Sequence, residues 1–285
     1  MRALDIAYGD ELFLLGCETL DDQLLAGQDL RLRLYWVALK RMSENYTLYV
    51  QVFGRDGELI GSEDTYPGAG NYPTSLWLPG EVVSEDYRIA IAADALTPVA
   101  ATVRAGVYAG STTGSLPAFQ ADGVPLARNP AITRVRVGGP LSQPASPPNV
   151  LEASFDGRLR LDGYALERAG LQAGDAWNLT LYWTVVERPI FDYTVYVHLV
   201  DQQGQIVDQA DSPPLGGDLP TSFARPGDHL DDRHTLTLTN ALEPGEYTLE
   251  VGLYLLETFE RLPVVGGDEP SDHVVIETLT VGGTP

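Results

Sequence analysis

The densest group of residues able to do chemistry lies between 228 and 234, where Asp228, His229, Asp231, Asp232 and His234 fall within seven positions. Imidazole nitrogens and carboxylate oxygens are ligand types of zinc and calcium sites, and strand alternation can bring two or three of them to one face. Asp228, His229, Asp232 and His234 are therefore the candidate metal ligands. The aligned stretch in the first half of the chain, Glu81 to Tyr87, has no histidine. The cluster reads better as a solvated acidic turn, and no metal or other cofactor is required.

Tyrosines form the second chemical pattern. In two long alternating strands of each half, Tyr49 and Tyr108, and then Tyr196 and Tyr254, fall on the outward side beside Gly106 and Gly252. A tyrosine next to a bare glycine makes a flat amphipathic surface suited to a sugar ring or a protein partner. The purely structural reading, a ring shielding an interior glycine, is the stronger one. The loop from Thr65 to Leu78 adds Tyr66, Tyr72 and Trp77, where the second half has Ser212, Leu219 and Ala224. It is a possible sugar platform, with Trp77 also placed to cap a core.

No catalytic constellation appears. The chain has no H-E-x-x-H, phosphate loop, dinucleotide fingerprint or nucleophile elbow, and no catalytic residue is assigned. All four histidines, His198, His229, His234 and His273, lie in the second half. A carboxylate pair for glycoside hydrolysis is the third-ranked reading. The net charge of −22 repels phosphate backbones and anionic lipid, which argues against nucleic acid and membrane surfaces as partners. Cys17 is the only cysteine, so no intrachain disulfide forms and a buried thiol is expected. No apolar run approaches the ~20 residues of a membrane helix. The N-terminal residues lack a signal-peptide core, so work outside the cytoplasm implies a fragment of a longer chain.

The elements that must carry these residues repeat. Leu34-Tyr35-Trp36 returns as Leu181-Tyr182-Trp183, an offset of 147 residues that also carries Gly16 onto Gly163 and Pro73-Thr74-Ser75 onto Pro220-Thr221-Ser222. Near the end it slips by one, where Gly106-Val107-Tyr108 answers Gly252-Leu253-Tyr254. So long a period is domain-sized. Period-two alternation dominates both copies, with Trp36 and Trp183 on the buried side and hairpin turns at Arg55-Asp56-Gly57 and Gln202-Gln203-Gly204. About seven strands per copy at this spacing predict an all-β chain of two tandem immunoglobulin- or fibronectin-III-like β-sandwiches. Their expected bounds are 3–138 and 150–283, with a Pro-rich linker at 139–149.

Leu242-Glu243-Pro244-Gly245-Glu246-Tyr247 has the pattern of a tyrosine corner, which the first copy lacks after Leu96-Thr97-Pro98. Together with Ala173-Gly174-Asp175, Leu181-Tyr182-Trp183, Tyr193–Asp201, Pro220-Thr221-Ser222, Arg225-Pro226-Gly227, Val251–Tyr254 and Glu260-Arg261-Leu262-Pro263, it resembles a known pattern. This is the β-sandwich accessory domain that follows the membrane portion of bacterial glycosyltransferases similar to dolichyl-phosphate-mannose mannosyltransferases. Surface proteins of filamentous, GC-rich bacteria are similar too. The first copy departs from the pattern in an apparent insertion, Ala109–Asn129. The shared positions are strand and turn residues, so the resemblance implies a fold and carries over no catalytic residue. It implies a non-enzymatic extracytoplasmic module that spaces, or docks onto, a cell-surface protein or glycan. The alternative is a carbohydrate-binding module using the exposed aromatics. Oligomeric state is left open by the sequence.

Overall fold

A computed structural model describes residues 1–21, 24–110, 114–138, 146–266 and 270–281. The chain divides into two compact units, Met1–Pro140 and Leu141–Pro285. Most of the expected linker, 139–145, lies outside the described residues. Among the described residues no helix is long and apolar enough to cross a membrane.

The first unit contains β1 (Arg2–Tyr8), β2 (Leu12–Thr19), β3 (Leu24–Leu25), β4 (Asp29–Ala38) and β5 (Tyr46–Phe53), followed by β6 (Leu59–Thr65), β7 (Val82–Ala90), β8 (Val99–Ala109), β9 (Ala118–Gln120) and β10 (Ala131–Gly138). They form two sheets, ordered β7-β4-β2-β1-β9 and β3-β10-β8-β5-β6. All pairs are antiparallel except β3 with β10. The second unit repeats the plan with β11 (Asn149–Phe155), β12 (Leu159–Arg168), β13 (Ala176–Val185), β14 (Tyr193–Asp201) and β15 (Ile206–Gln209), followed by β16 (His229–Thr237), β17 (Gly245–Leu255), β18 (Val264–Val265) and β19 (Val274–Val281). Its sheets run β16-β13-β12-β11-β18 and β15-β14-β17-β19. The chain is all-β, and each unit is a β-sandwich.

Alternation places the cores where the sequence does. On β4, Leu30, Leu32, Leu34 and Trp36 are buried, and on β13 Trp177, Leu179, Leu181 and Trp183 are. Trp36 lies 5.5 Å from the Tyr8 ring and Trp183 5.5 Å from Phe155, so each indole is an aromatic anchor between layers. Cys17 is buried in the first core. The tyrosine corner is present in the second unit, where the Tyr247 hydroxyl donates to the Glu243 carbonyl at 3.0 Å. In the first unit the corresponding turn is held by Arg55, whose Nη2 donates to the Pro98 carbonyl at 2.9 Å.

The repeated Pro-Thr-Ser motif has a definite task. Thr74 and Thr221 each open a short 3₁₀ turn and are fully buried. The Thr74 hydroxyl donates to the Glu44 carbonyl and accepts from the Tyr46 amide at 2.9 Å. The Thr221 hydroxyl donates to the Phe191 carbonyl at 2.6 Å and accepts from the Tyr193 amide at 2.9 Å. Each threonine thus satisfies two backbone groups at the mouth of β5 or β14, where no strand neighbour can.

A second pair of tethers comes from β7 and β16. Glu85 and Asp232 occupy the same inward position and accept the backbone amides of Gly68 (3.0 Å) and Leu215 (2.8 Å), both at positive φ. A buried carboxylate at this point fixes the connection between sheets.

Thr74→Ala and Thr221→Ala should each remove about 1–3 kcal/mol from their own unit, because buried backbone groups lose their partner. Thermal unfolding measured by calorimetry checks this. Burial raises the Glu85 carboxyl above its ordinary 4.5. The native state therefore holds the proton better than the unfolded chain, and stability from this group falls as pH rises through the raised value. Glu85→Gln keeps an acceptor for Gly68 without the charge. Its melting temperature relative to the unaltered protein should rise between about pH 4 and pH 7.

Candidate binding site

The expected tyrosine faces are brought together but are not open. Tyr49 pairs across β5 and β8 with Gly106, and Tyr196 across β14 and β17 with Gly252. A Cβ on either glycine would fall on the tyrosine ring. Tyr49 is 9% exposed and Tyr196 0% exposed, so each ring shields its glycine as the structural reading expects, and the alternative of accessible ligand residues is corrected. The physical reason is a return segment that crosses the outer face of each of these sheets. In the first unit Ser115 meets the Tyr49 hydroxyl at 2.9 Å, and Asn129 donates to Gln51 at 3.0 Å. In the second, the Tyr196 hydroxyl donates to the Asp272 carbonyl at 3.0 Å, and the Arg261 guanidinium lies 4.5 Å over the ring centroid. Burial pushes the Tyr196 phenol well above its usual range.

The return segment is common to both units. It carries β9 beside β1 in one, and β18 beside β11 in the other. The apparent insertion at 109–129 therefore has a counterpart in the second copy.

Tyr108 and Tyr254 lie at the margin of this cover, half-buried, and donate to Asp64 (3.0 Å) and Asp211 (3.4 Å). In the loop of the first unit Tyr72 is bound to Glu81 at 2.7 Å, while Tyr66 is 49% exposed. Trp77 is 0% exposed and donates its indole N–H to the Tyr72 carbonyl at 3.0 Å, so it is a core residue and not part of a sugar platform.

The histidine–aspartate cluster is dispersed. Alternation on β16 turns Asp232 and His234 inward between Leu230 and Leu236, whereas His229 reaches Thr184 at 2.9 Å. His234 Nε2 faces Asp232 Oδ2 at 2.8 Å, its Nδ1 faces Ser212 at 3.3 Å, and Asp228 accepts the Arg225 amide at 2.8 Å. The reading of Asp232 and His234 as part of a solvated turn is thereby corrected: both are buried within a strand, in place of the core residues Glu85 and Tyr87 of the first unit. Among the described residues no three histidine, cysteine or acidic side chains stand together as a metal would require.

The accessible aromatic site lies elsewhere in the second unit. A cleft of about 200 Å³ opens between the entrance to β14 and the turn after β17. Phe191 and Tyr193 wall it, edge to face with centroids 6.4 Å apart, and Leu262 and Pro263 lie among its other lining residues. Asp156, Glu260 and Arg261 supply charge at the lining. Phe191 is 52% exposed. Phe259, in the turn bordering the cleft, is 72% exposed, stacks 5.9 Å from Tyr254 and has φ of +60°. A bulky residue in the left-handed region is uncommon and costs roughly 1–2 kcal/mol, so the turn holds this ring out against its own backbone preference.

Neither Phe191 nor Phe259 was among the aromatics expected to bind. The signal available was the exchange of Ser43-Glu44 in the first copy for Ile190-Phe191 in the second, apolar residues replacing polar ones in a turn.

No protein-family model and no curated protein matches this sequence. Among solved structures, a glycosyl hydrolase family 2 member from Bacteroides cellulosilyticus matches 89% of this chain at 10% identity, with a TM-score of 0.28. The chain spans 28% of that protein's length. So low a TM-score supports no argument about fold or activity.

The buried tyrosines make a clear test. Gly106→Ala should destabilise the first unit by about 1–3 kcal/mol through overpacking. Adding Tyr49→Ala should yield a double variant more stable than the sum of the two single losses, because the clash is gone. Additive losses in a calorimetric double-mutant cycle would contradict the contact.

Proposed function

We propose that this chain is a non-enzymatic module acting at a cell surface, outside the cytoplasm, and that it binds a saccharide through the cleft of its second unit. The observation that supports it is the pair of outward phenylalanines, Phe191 and Phe259, at a cleft with carboxylates and a guanidinium at its lining. Ring stacking takes the apolar face of a sugar, and the charged groups take its hydroxyls. The cleft is smaller than the roughly 300–1,000 Å³ of an engulfing pocket, which suits contact with one ring of a longer glycan. A non-catalytic role is supported by the setting of Asp156 and Glu260: both are exposed, and neither has the buried surroundings of a general acid.

The test is binding of the intact protein to a glycan array, with Phe191→Ala and Phe259→Ala alongside. Because both rings are exposed, melting should shift by less than about 1 kcal/mol equivalent. Binding to the recognised glycan should fall at least tenfold for Phe191→Ala. An unaltered protein that binds no glycan, variants that bind like it, or release of reducing sugar from a bound glycan would overturn the reading.

A further inference from the structure

The outer face of the β12–β13–β16 sheet differs between the copies in a way that points to a ligand. In the first unit this face is closed by its own charges. Arg33 on β4 forks onto Asp86 on β7 at 2.5 and 2.8 Å. Its neighbours Arg31 and Arg88 are paired with Asp21 and Asp29. In the second unit the same rungs read Ala165–Thr180–Arg233 and Glu167–Asn178–Thr235. Thr180 stands where Arg33 does, and Arg233 where Asp86 does, so the cation has moved to the other strand and lost its carboxylate. The Arg233 guanidinium is exposed and has no hydrogen bond or ion pair among the described residues. The small Ala165 leaves a hollow of about 350 Å³ beside it.

We infer that this hollow is a second binding site, selective for a carboxylated sugar of the uronate type. Arg233 offers the planar fork that carboxylates match in two parallel hydrogen bonds. The Thr235 hydroxyl donates to Asn178 Oδ1 at 3.1 Å, which leaves the Asn178 amide N–H groups free to donate. Thr180 and Glu167 also line the hollow, and the Glu167 carboxylate is an acceptor for sugar hydroxyls. One anionic end and one hydroxyl-rich end is the pattern of a uronate ring. The chain's net charge of −22 opposes every polyanion at long range, so only close pairing of this kind gives binding. The site is independent of the aromatic cleft, and either can fail without the other.

Calorimetric titration of the intact protein with an oligouronate, with the neutral oligosaccharide of the same linkage and with polyglutamate tests it. The oligouronate should bind at least tenfold more tightly than either. Arg233→Ala should abolish that binding, and Arg233→Lys should weaken it several-fold. Thr180→Asp, which supplies the carboxylate missing from the rung, should close the site while leaving the melting temperature unchanged or higher. Phe191→Ala should leave oligouronate affinity unaltered, so that loss of cleft binding and loss of this site are read separately. No binding of the oligouronate, unchanged binding by Arg233→Ala, or equal affinity for polyglutamate would overturn the proposal.

Discussion

Each unit depends on one buried hydroxyl. Thr74 and Thr221 sit where the chain turns into an interior strand of a sheet, a place where backbone groups leave one ladder before joining another. Water is excluded there, so an unpaired amide and carbonyl would each cost free energy comparable to a lost hydrogen bond. The hydroxyl answers both, and the next residue adds a third link: the Ser75 and Ser222 amides donate to Asn45 and Asp192 at 3.3 and 3.0 Å. In the second unit the carbonyl that Thr221 holds is that of Phe191. A buried threonine of the sandwich and an exposed wall of the cleft are therefore one hydrogen bond apart, which gives the cleft a rigid edge.

A second constraint explains why the tyrosine faces are closed. β5 and β14 are buried on both sides for most of their length. An antiparallel sheet ordinarily leaves one face wet. Here the segment after β8 or β17 crosses that face to add an edge strand to the opposite sheet. A glycine on the neighbouring strand makes room for the tyrosine ring, and its hydroxyl finds a polar partner in the covering chain, Ser115 before β9 in the first unit and Asp272 after β18 in the second. Such an arrangement ties the two sheets together and removes the aromatic surface from solvent.

With the strand plan and the threonine-held turns alike, the copies diverge most usefully where side chains meet water. Position 44 is a glutamate and its counterpart at 191 a phenylalanine, on the same threonine-held turn. Ion pairs flatten the β2–β4–β7 face of the first unit, and their partners are replaced by alanine and threonine in the second. Exposed ion pairs contribute little stability, about 0–1 kcal/mol each. Their loss is therefore tolerable to the fold, and the second unit is free to present chemistry that the first neutralises.

How much of this was legible before folding follows from range. The period of two, the turn residues and the internal repeat are local or comparative signals, and they determined an all-β chain of two sandwiches, the inward tryptophans, the adjacency of Tyr49 with Gly106 and the tyrosine corner at Tyr247. Outward direction was legible as well. Accessibility was not, because it depends on what packs over a face from far along the chain: Tyr49 is covered by Ser115 and Tyr196 by Asp272. The pair Asp232–His234 was misplaced for the same reason, since strand context, not residue type, put them inside, whereas Trp77 takes the core-capping place that the sequence offered beside the sugar platform. The cleft needs Phe191, Tyr193 and Arg261, from two turns about seventy residues apart in sequence. Only the closing of the second sandwich brings those turns together, because alternation fixes which side of a strand a residue faces but not which distant segment meets it there.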